Sequence, residues 1–202
     1  MSPRQAFQLM YSFYNQIKFR KVQVPHVSAL IDTEDSSVHW QHLDVAGKII
    51  LDLGCGLWGV NDIRETSPVY FKNKGAKKII GVDSNADDVL VFKKYFNENF
   101  KGDESEFIVK EIACSNDLLE LITKYNVESI KCDIEGFEKV MFNITKDQVK
   151  NIESISVEYH SHTLLLRLIK TLKNWNFEII NYSLFTYAPQ SLGVLTAIRK
   201  VA

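Results

Sequence analysis

The sequence predicts an α/β fold: a mostly parallel sheet with helices on both faces, closed by an antiparallel C-terminal hairpin. Three observations lead there. Short continuous apolar runs recur from Lys48 onward, helical stretches separate them, and the last two runs follow each other with no helix between. A strand buried on both faces by crossover helices reads as continuous rather than alternating apolar sequence. Two strands joined by a short loop can only pair antiparallel.

The runs are Ile49–Leu51, Ile79–Val82, Phe107–Val109, Ser129–Ile134 and Ile155–Tyr159. Helices are expected over about 60–75, 85–98, 116–125, 136–150 and 162–174. The hairpin joins Phe177–Leu184 to Leu192–Lys200 through a loop that holds Ala188, Pro189 and Gln190. Ahead of all this, Phe7, Met10, Tyr11, Phe13, Tyr14 and Ile17 recur at helical spacing, which predicts a helix from about Pro3 to Arg20. Pro25 breaks that pattern, and a short helix around Ser37–His42 follows. The expected organisation is one domain over 1–202, with 1–45 as an N-terminal helical extension packed on it.

The chain has 202 residues and a 46% hydrophobic fraction, enough for one full core. Lys plus Arg number 24 against 25 Asp plus Glu, a net charge of -1, so no global pull toward nucleic acid or membrane is expected. Cys55, Cys114 and Cys132 show neither metal-ligand nor redox spacing. Reduced thiols and the missing apolar leader lead to an expected cytoplasmic location. The apolar run Thr163–Ile169, interrupted by Arg167, is too short to cross a bilayer.

The strongest local signal is Lys48–Gly59: a buried strand that contains Asp52 and ends in Gly54-Cys55-Gly56. Glycines there permit a tight turn and close approach of a ligand. In an open α/β sheet, ligands sit at the carboxyl ends of the strands. Asp83 ends the next strand, where a carboxylate can accept both ribose hydroxyls of an adenosine. It follows Gly54 by more than the usual spacing of about 20 residues, and Asn61–Pro68 absorbs the excess. A dinucleotide needs its pyrophosphate neutralised at the turn. Here the helix begins beside Asp62, and Asp52 stands next to the turn, so a cationic nucleoside fits better.

At this point the motifs resemble a known family. Leu51-Asp52-Leu53-Gly54-Cys55-Gly56 is similar to motif I of class I S-adenosylmethionine-dependent methyltransferases, and Gly81-Val82-Asp83 to their motif II. Lys131–Glu138 resembles the Asp-[Ile/Val]-Glu-Gly-x-Glu segment of FkbM-type methyltransferases, and Val157-Glu158-Tyr159-His160 also resembles that family. The likeness spans about Lys48 to His160. It departs at Cys55-Gly56, where FkbM proteins usually carry alanine and asparagine, and at Asp83-Ser84, where they carry glutamate-proline. The resemblance implies a Rossmann-like class I methyltransferase fold with a seven-stranded sheet, and S-adenosylmethionine as cofactor. On this reading the cofactor meets Asp52, Gly54, Cys55, Gly56, Asp83, Ser84, Ala113, Cys114 and Asp133. Residues Glu111–Ser115 are expected to meet the adenine through backbone groups.

The expected acceptor side is Asp133, Glu135 and His160. His160 ordinarily titrates at about 6.5 and suits a general base, a role worth typically about 10²–10⁴-fold. Asp133 positions cofactor or acceptor. Asp133 and Glu135 lack a third ligand, so no metal is expected. The Asn-Pro-Pro-Tyr or Asp-Pro-Pro-Tyr tetrapeptide of the families that methylate base amino groups is absent after the fourth strand. The expected reaction is therefore methyl transfer to a hydroxyl oxygen of a small molecule or glycan. The alternatives are a tRNA or rRNA methyltransferase, which requires a basic face, and a non-catalytic binding protein with the same fold. Oligomeric state is not read from the sequence.

Overall fold

The computed structural model describes residues 29–31, 40–57, 62–135, 138–185 and 192–200. The predicted helix at Pro3–Arg20 and the hairpin loop at 186–191 lie outside them. The central strands form where the apolar runs stand: β2 (Ile49–Leu53), β3 (Lys78–Asp83), β4 (Glu106–Val109), β5 (Ser129–Cys132) and β6 (Ser154–Tyr159). All neighbours among them pair in parallel. Two further strands, β7 (Phe177–Phe185) and β8 (Gly193–Arg199), form the antiparallel hairpin, and β8 inserts antiparallel beside β6. A short strand β1 (Ala29–Ile31) pairs in parallel with β7.

The order across the sheet is β1-β7-β8-β6-β5-β2-β3-β4. The sequence predicts seven strands and a helical N-terminal extension. The described structure has eight, because part of that extension adds β1 to the hairpin's free edge, where unpaired N–H and C=O groups accept another strand. The chain winds outward from β2 to β3 and β4, then returns to β5 on the other side of β2. That reversal places a crevice between the carboxyl ends of β2 and β5.

Side chains alternate across the sheet. Leu51, Leu53, Ile80 and Val82 belong to one buried cluster, Ile50 and Ile79 to another. The first cluster is covered by α3 (Ser115–Tyr125) and α4 (His162–Asn174) through Leu118, Leu121, Leu165 and Leu168. The second is covered by α1 (Ser67–Asn73) and α2 (Ala86–Asn99) through Val69, Phe71, Phe92 and Phe96, with Trp40 alongside. Side-chain caps start two of these helices. Asn85 accepts the Asp87 N–H and Ser161 accepts the Leu164 N–H.

Two expected helices differ. The 60–75 segment is a 3-10 turn at Ile63–Glu65 and then α1, because Thr66 is extended and Pro68 starts a new helix. The 136–150 segment contains two 3-10 turns, Glu138–Asn143 and Asp147–Val149. Asn143, Ile144 and Thr145 are poor helix formers. The Thr145 N–H and hydroxyl both donate to Gln148 Oε1, and the Ile144 carbonyl accepts the Trp175 indole N–H. These bonds hold the chain out of a continuous helix.

Phe92 is fully buried and stacks on Phe107 with centroids 5.3 Å apart. Phe92→Ala is expected to lose about 3–5 kcal/mol of stability, the range for large aromatic truncations in packed cores. Urea unfolding followed by circular dichroism measures it. A loss below about 1 kcal/mol would show that α2 does not pack as described.

Candidate functional site

The turn after β2 occupies the switch point. Gly54 has φ +70°, and a Cβ there would lie 1.7 Å from the Asp133 carbonyl oxygen. Only glycine lets the turn lie this close to the end of β5. The Gly54 and Cys55 N–H groups donate to the Val82 carbonyl at 2.9 and 3.3 Å. The Gly56 N–H donates to Asp83 Oδ2 at 2.8 Å, and the Leu57 N–H donates to Asp88 Oδ2 at 2.9 Å. The other Asp83 oxygen accepts the Asn85 N–H at 2.8 Å. Each carboxylate oxygen can accept more than one hydrogen bond, so Asp83 keeps capacity for a ligand.

Beneath the turn lies a buried charge. The Lys131 ammonium donates to the Gly54 carbonyl at 2.6 Å, sits 3.2 Å from Asp52 Oδ1, and lies 5.5 Å from the Trp40 ring centroid. Asp52 is fully buried, and its Oδ2 accepts the Ser67 hydroxyl at 2.6 Å. Burial pushes the Asp52 carboxyl up, against the pull of Lys131 and Ser67. Burial pulls Lys131 down, but Asp52 and Asp133 outweigh it and hold the lysine above its ordinary value. Asp52, predicted as a ligand contact, is thus an internal group that acts on the site through Lys131 and the turn. Lys131 is one residue of the site that the sequence does not point to. A lysine inside a run of strand residues carries no local sign that it is buried.

The other cofactor candidates are spread around this crevice. Cys55 is buried, so only its backbone borders the turn, while Ser84 is exposed beside Asp83. Ala113 and Cys114 are exposed, and both their N–H groups donate to Asp117 Oδ2, at 3.1 and 3.0 Å. The backbone donors expected to meet the adenine are therefore already engaged as the N-terminal cap of α3.

The ends of β5 and β6 bring the acceptor candidates together. Cys132 stands opposite Val157, so Asp133 and Glu158 leave adjacent strands at the same edge. One oxygen from each and one His160 nitrogen all lie within 4.8 Å of one another. His160 Nδ1 pairs with Oε1 of Glu138, and Nε2 faces Glu135 at 3.3 Å and Glu158 at 3.9 Å. Glu138 is fully buried, and its Oε2 has no hydrogen-bond partner among the described residues. Glu135 has φ +43°, a conformation a non-glycine residue rarely adopts. Burial lowers the His160 pKa, but the Glu138 hydrogen bond and the charges of Glu138, Glu158 and Glu135 push it up to about 9. The sequence expects a base near neutrality. With its proton held by these carboxylates, His160 instead acts as a donor at neutral pH. Glu138, which the sequence groups with Asp133 and Glu135 without a role of its own, and Glu158, which it leaves unassigned, both join the site.

No family model matches the chain, and no curated relative matches it. Solved structures do. A protein of the NADB-Rossmann superfamily from Streptococcus agalactiae superposes with a TM-score of 0.57 at 13% identity, over 87% of this chain and 72% of that one. Fibrillarin from Aeropyrum pernix with natively bound S-adenosyl-L-methionine gives 0.52 at 14%, over 76% and 67%. Magnesium protoporphyrin IX methyltransferase from Synechocystis PCC 6803 with bound S-adenosylmethionine gives 0.50 at 13%, over 77% and 71%. The fold is that of Rossmann-like class I methyltransferases. Among the described residues, no helix is long and apolar enough to cross a membrane.

Removing one partner of a buried ion pair leaves an uncompensated charge, at a cost of about 3–5 kcal/mol. Lys131→Met is expected to destabilise the protein by that amount, and adding Asp52→Asn should recover part of it. Thermal and urea unfolding of the two variants check this. Equal destabilisation with and without Asp52→Asn would show that the pair is not coupled.

Proposed function

We propose that the protein binds S-adenosylmethionine at the glycine turn and transfers its methyl group to an acceptor hydroxyl. One observation carries the nucleoside reading. The Gly56 and Leu57 N–H groups, which in a dinucleotide site would face a pyrophosphate, donate to Asp83 and Asp88. A phosphate here would find those donors taken and two carboxylates opposing it. A sulfonium and an ammonium would find a favourable negative field. Glycine at both positions is also demanded by the packing of the turn itself, since a Cβ at Gly54 or Gly56 would collide with the Asp133 carbonyl or the Asp83 carboxylate.

When bound, S-adenosylmethionine supplies an electrophilic methyl group on a sulfonium. Asp83 accepts the ribose hydroxyls, and the Gly54–Gly56 backbone borders the methionine portion. Asp133, Glu135 and His160 orient the acceptor, with His160 donating a hydrogen bond to it; as the acceptor oxygen bonds the methyl carbon the sulfonium–methyl bond breaks, S-adenosylhomocysteine leaves, and the hydroxyl proton passes through the exposed Glu135 carboxylate to water. Much of the rate of such a transfer comes from orientation. Asp133, Glu135 and Glu158 make the rim acidic. That rim repels a phosphodiester backbone and supports a small-molecule or glycan acceptor over RNA. The motifs around Lys131–Glu138 and Val157–His160 support placement near the FkbM-type methyltransferases.

Asp83→Asn is expected to weaken S-adenosylhomocysteine binding by about 1.5–3 kcal/mol, the worth of hydrogen bonds to a charged group, or roughly ten- to over a hundred-fold. Isothermal titration calorimetry measures it. Unchanged affinity removes Asp83 from the ribose site. The acceptor class is tested by transfer of a tritiated methyl group into RNA, protein and small-molecule fractions of cell extract. Label confined to the small-molecule or glycan fraction supports the reading. Salt-sensitive incorporation into RNA overturns it.

A further inference from the structure

The acidic cluster beside the turn contains an arrangement that the proposed methyl transfer does not by itself require. Asp133, Glu158 and His160 come from the ends of two adjacent parallel strands and offer three ligand atoms within 4.8 Å of one another. Two carboxylates and an imidazole are a donor set for a divalent first-row ion. The sequence shows Asp133 and Glu135 close together with no third ligand, but the β5–β6 register supplies Glu158 and His160.

A second observation sits behind the histidine. Its Nδ1 pairs with Glu138, a fully buried carboxylate on the 3-10 turn that follows β5, so Nε2 faces the cluster. A histidine that binds metal through one nitrogen commonly donates its other N–H to a carboxylate, which fixes the tautomer and the ring plane. The remaining Glu138 oxygen, Oε2, is buried without a partner among the described residues. A buried carboxylate left half-satisfied is costly unless positive charge stands near it, and either a proton or a cation on the His160 ring supplies that charge. Lys131 lies 3.9 Å from Asp133 but is engaged with Asp52 and the Gly54 carbonyl.

We propose that Asp133, Glu158 and His160 bind a divalent metal ion of the Mn2+ class, with Glu138 as the positioning residue behind His160. The ion replaces the proton on Nε2 and takes over the contact to the acceptor that this N–H makes in the metal-free protein, and Glu135, 3.3 Å from that nitrogen, lies beside it. Three protein ligands leave coordination positions open. Asp133 also borders the glycine turn, because its carbonyl oxygen lies against Gly54. The ligand the open positions fit is an oxygen of the acceptor. Here the inference rests on the methyl-transfer reading, whereas the metal site stands without it. An acceptor hydroxyl held on the ion becomes more acidic and better oriented. This assigns the acceptor to molecules with an exposed, metal-chelating hydroxyl.

The test uses the full chain and Mn2+ alone, titrated by calorimetry and by loss of the free-ion electron paramagnetic resonance signal. S-adenosylhomocysteine binding is measured separately without metal. Wild type should bind one equivalent of Mn2+. Glu158→Gln and His160→Ala should reduce that binding at least tenfold while the circular dichroism spectrum and S-adenosylhomocysteine affinity stay as in wild type. Glu138→Gln should weaken Mn2+ by about 10–100-fold, as loss of a carboxylate behind a metal-bound histidine does. Mn2+ binding without S-adenosylhomocysteine binding supports this site and overturns the methyl-transfer reading. A folded wild type that binds S-adenosylhomocysteine but not Mn2+ overturns the metal site alone. So does Mn2+ binding that survives unchanged in both Glu158→Gln and His160→Ala.

Discussion

A lysine ammonium held inside the sheet, against a carboxylate and the underside of a glycine turn, organises this crevice. Lys131 and Asp52 are both withdrawn from water, which costs each several kcal/mol of hydration. Mutual attraction, the Ser67 hydroxyl, the Gly54 carbonyl and the Trp40 face offset that loss. Geometry follows from this arrangement. The ammonium draws the Gly54 carbonyl inward, and the turn's next N–H groups then point outward to Asp83 and Asp88. A turn with its carbonyl satisfied below and its amides satisfied by carboxylates above presents little to an anion. The turn's poor fit to an anion is therefore built in part by a residue buried beneath it.

Charge is distributed unevenly around this centre. The chain as a whole is nearly neutral, at -1. Yet the carboxyl edge of the sheet gathers Asp83, Asp88, Asp133, Glu135, Glu138 and Glu158 within the reach of one crevice. Among the described residues, Lys131, which also meets Asp52, and the His160 imidazolium stand near them. Such a crowd of like charges is unfavourable unless cations are recruited. Acids gathered in this way attract positive charge at two adjoining points. One borders the glycine turn, where the proposed sulfonium nucleoside would answer it. The other lies between β5 and β6, where a protonated histidine or a metal ion does. Net charge hides this, because the balancing lysines, such as Lys48, Lys78 and Lys110, are paired with acids elsewhere on the surface.

Much of the layout was legible because parallel strands sheathed by helices must be apolar throughout. Ile49–Leu53 and Ile79–Val82 could hardly be anything else, and Asn85 marks the start of α2 by the cap it makes. Gly54 was legible too, since a glycine at the end of such a strand permits the positive φ that the turn requires. What stayed hidden depends on register between distant segments. Lys131 meets Asp52 only because β5 lies beside β2, and Glu138 meets His160 only because β6 follows β5 in space. The expected helix after Gly136 failed for a related reason. Its weak propensity at Asn143–Thr145 is decided by hydrogen bonds to Gln148 and Trp175, which local periodicity does not contain. Cys114, expected at the cofactor, is exposed, and Asp117 accepts hydrogen bonds from its N–H and thiol at the start of α3.

Asp133 shows why these two halves cannot be treated separately. Its carbonyl is the atom that forbids a side chain at Gly54, so it shapes the nucleoside half of the crevice. Its carboxylate belongs to the cluster with Glu158 and His160, so it shapes the acceptor half. Its N–H donates to the Leu53 carbonyl at 3.1 Å, which fixes its position relative to the turn. One residue thus sets the distance between whatever occupies the turn and whatever occupies the cluster. In a group transfer governed by orientation, that separation controls the rate, because displacing the reacting atoms by about 1 Å can cost a hundredfold. The β2–β5 hydrogen-bond ladder fixes it, and the buried lysine beneath resists any shift of one strand against the other. Rigidity at the sheet's centre, rather than any single side chain at its rim, is what this architecture contributes to chemistry.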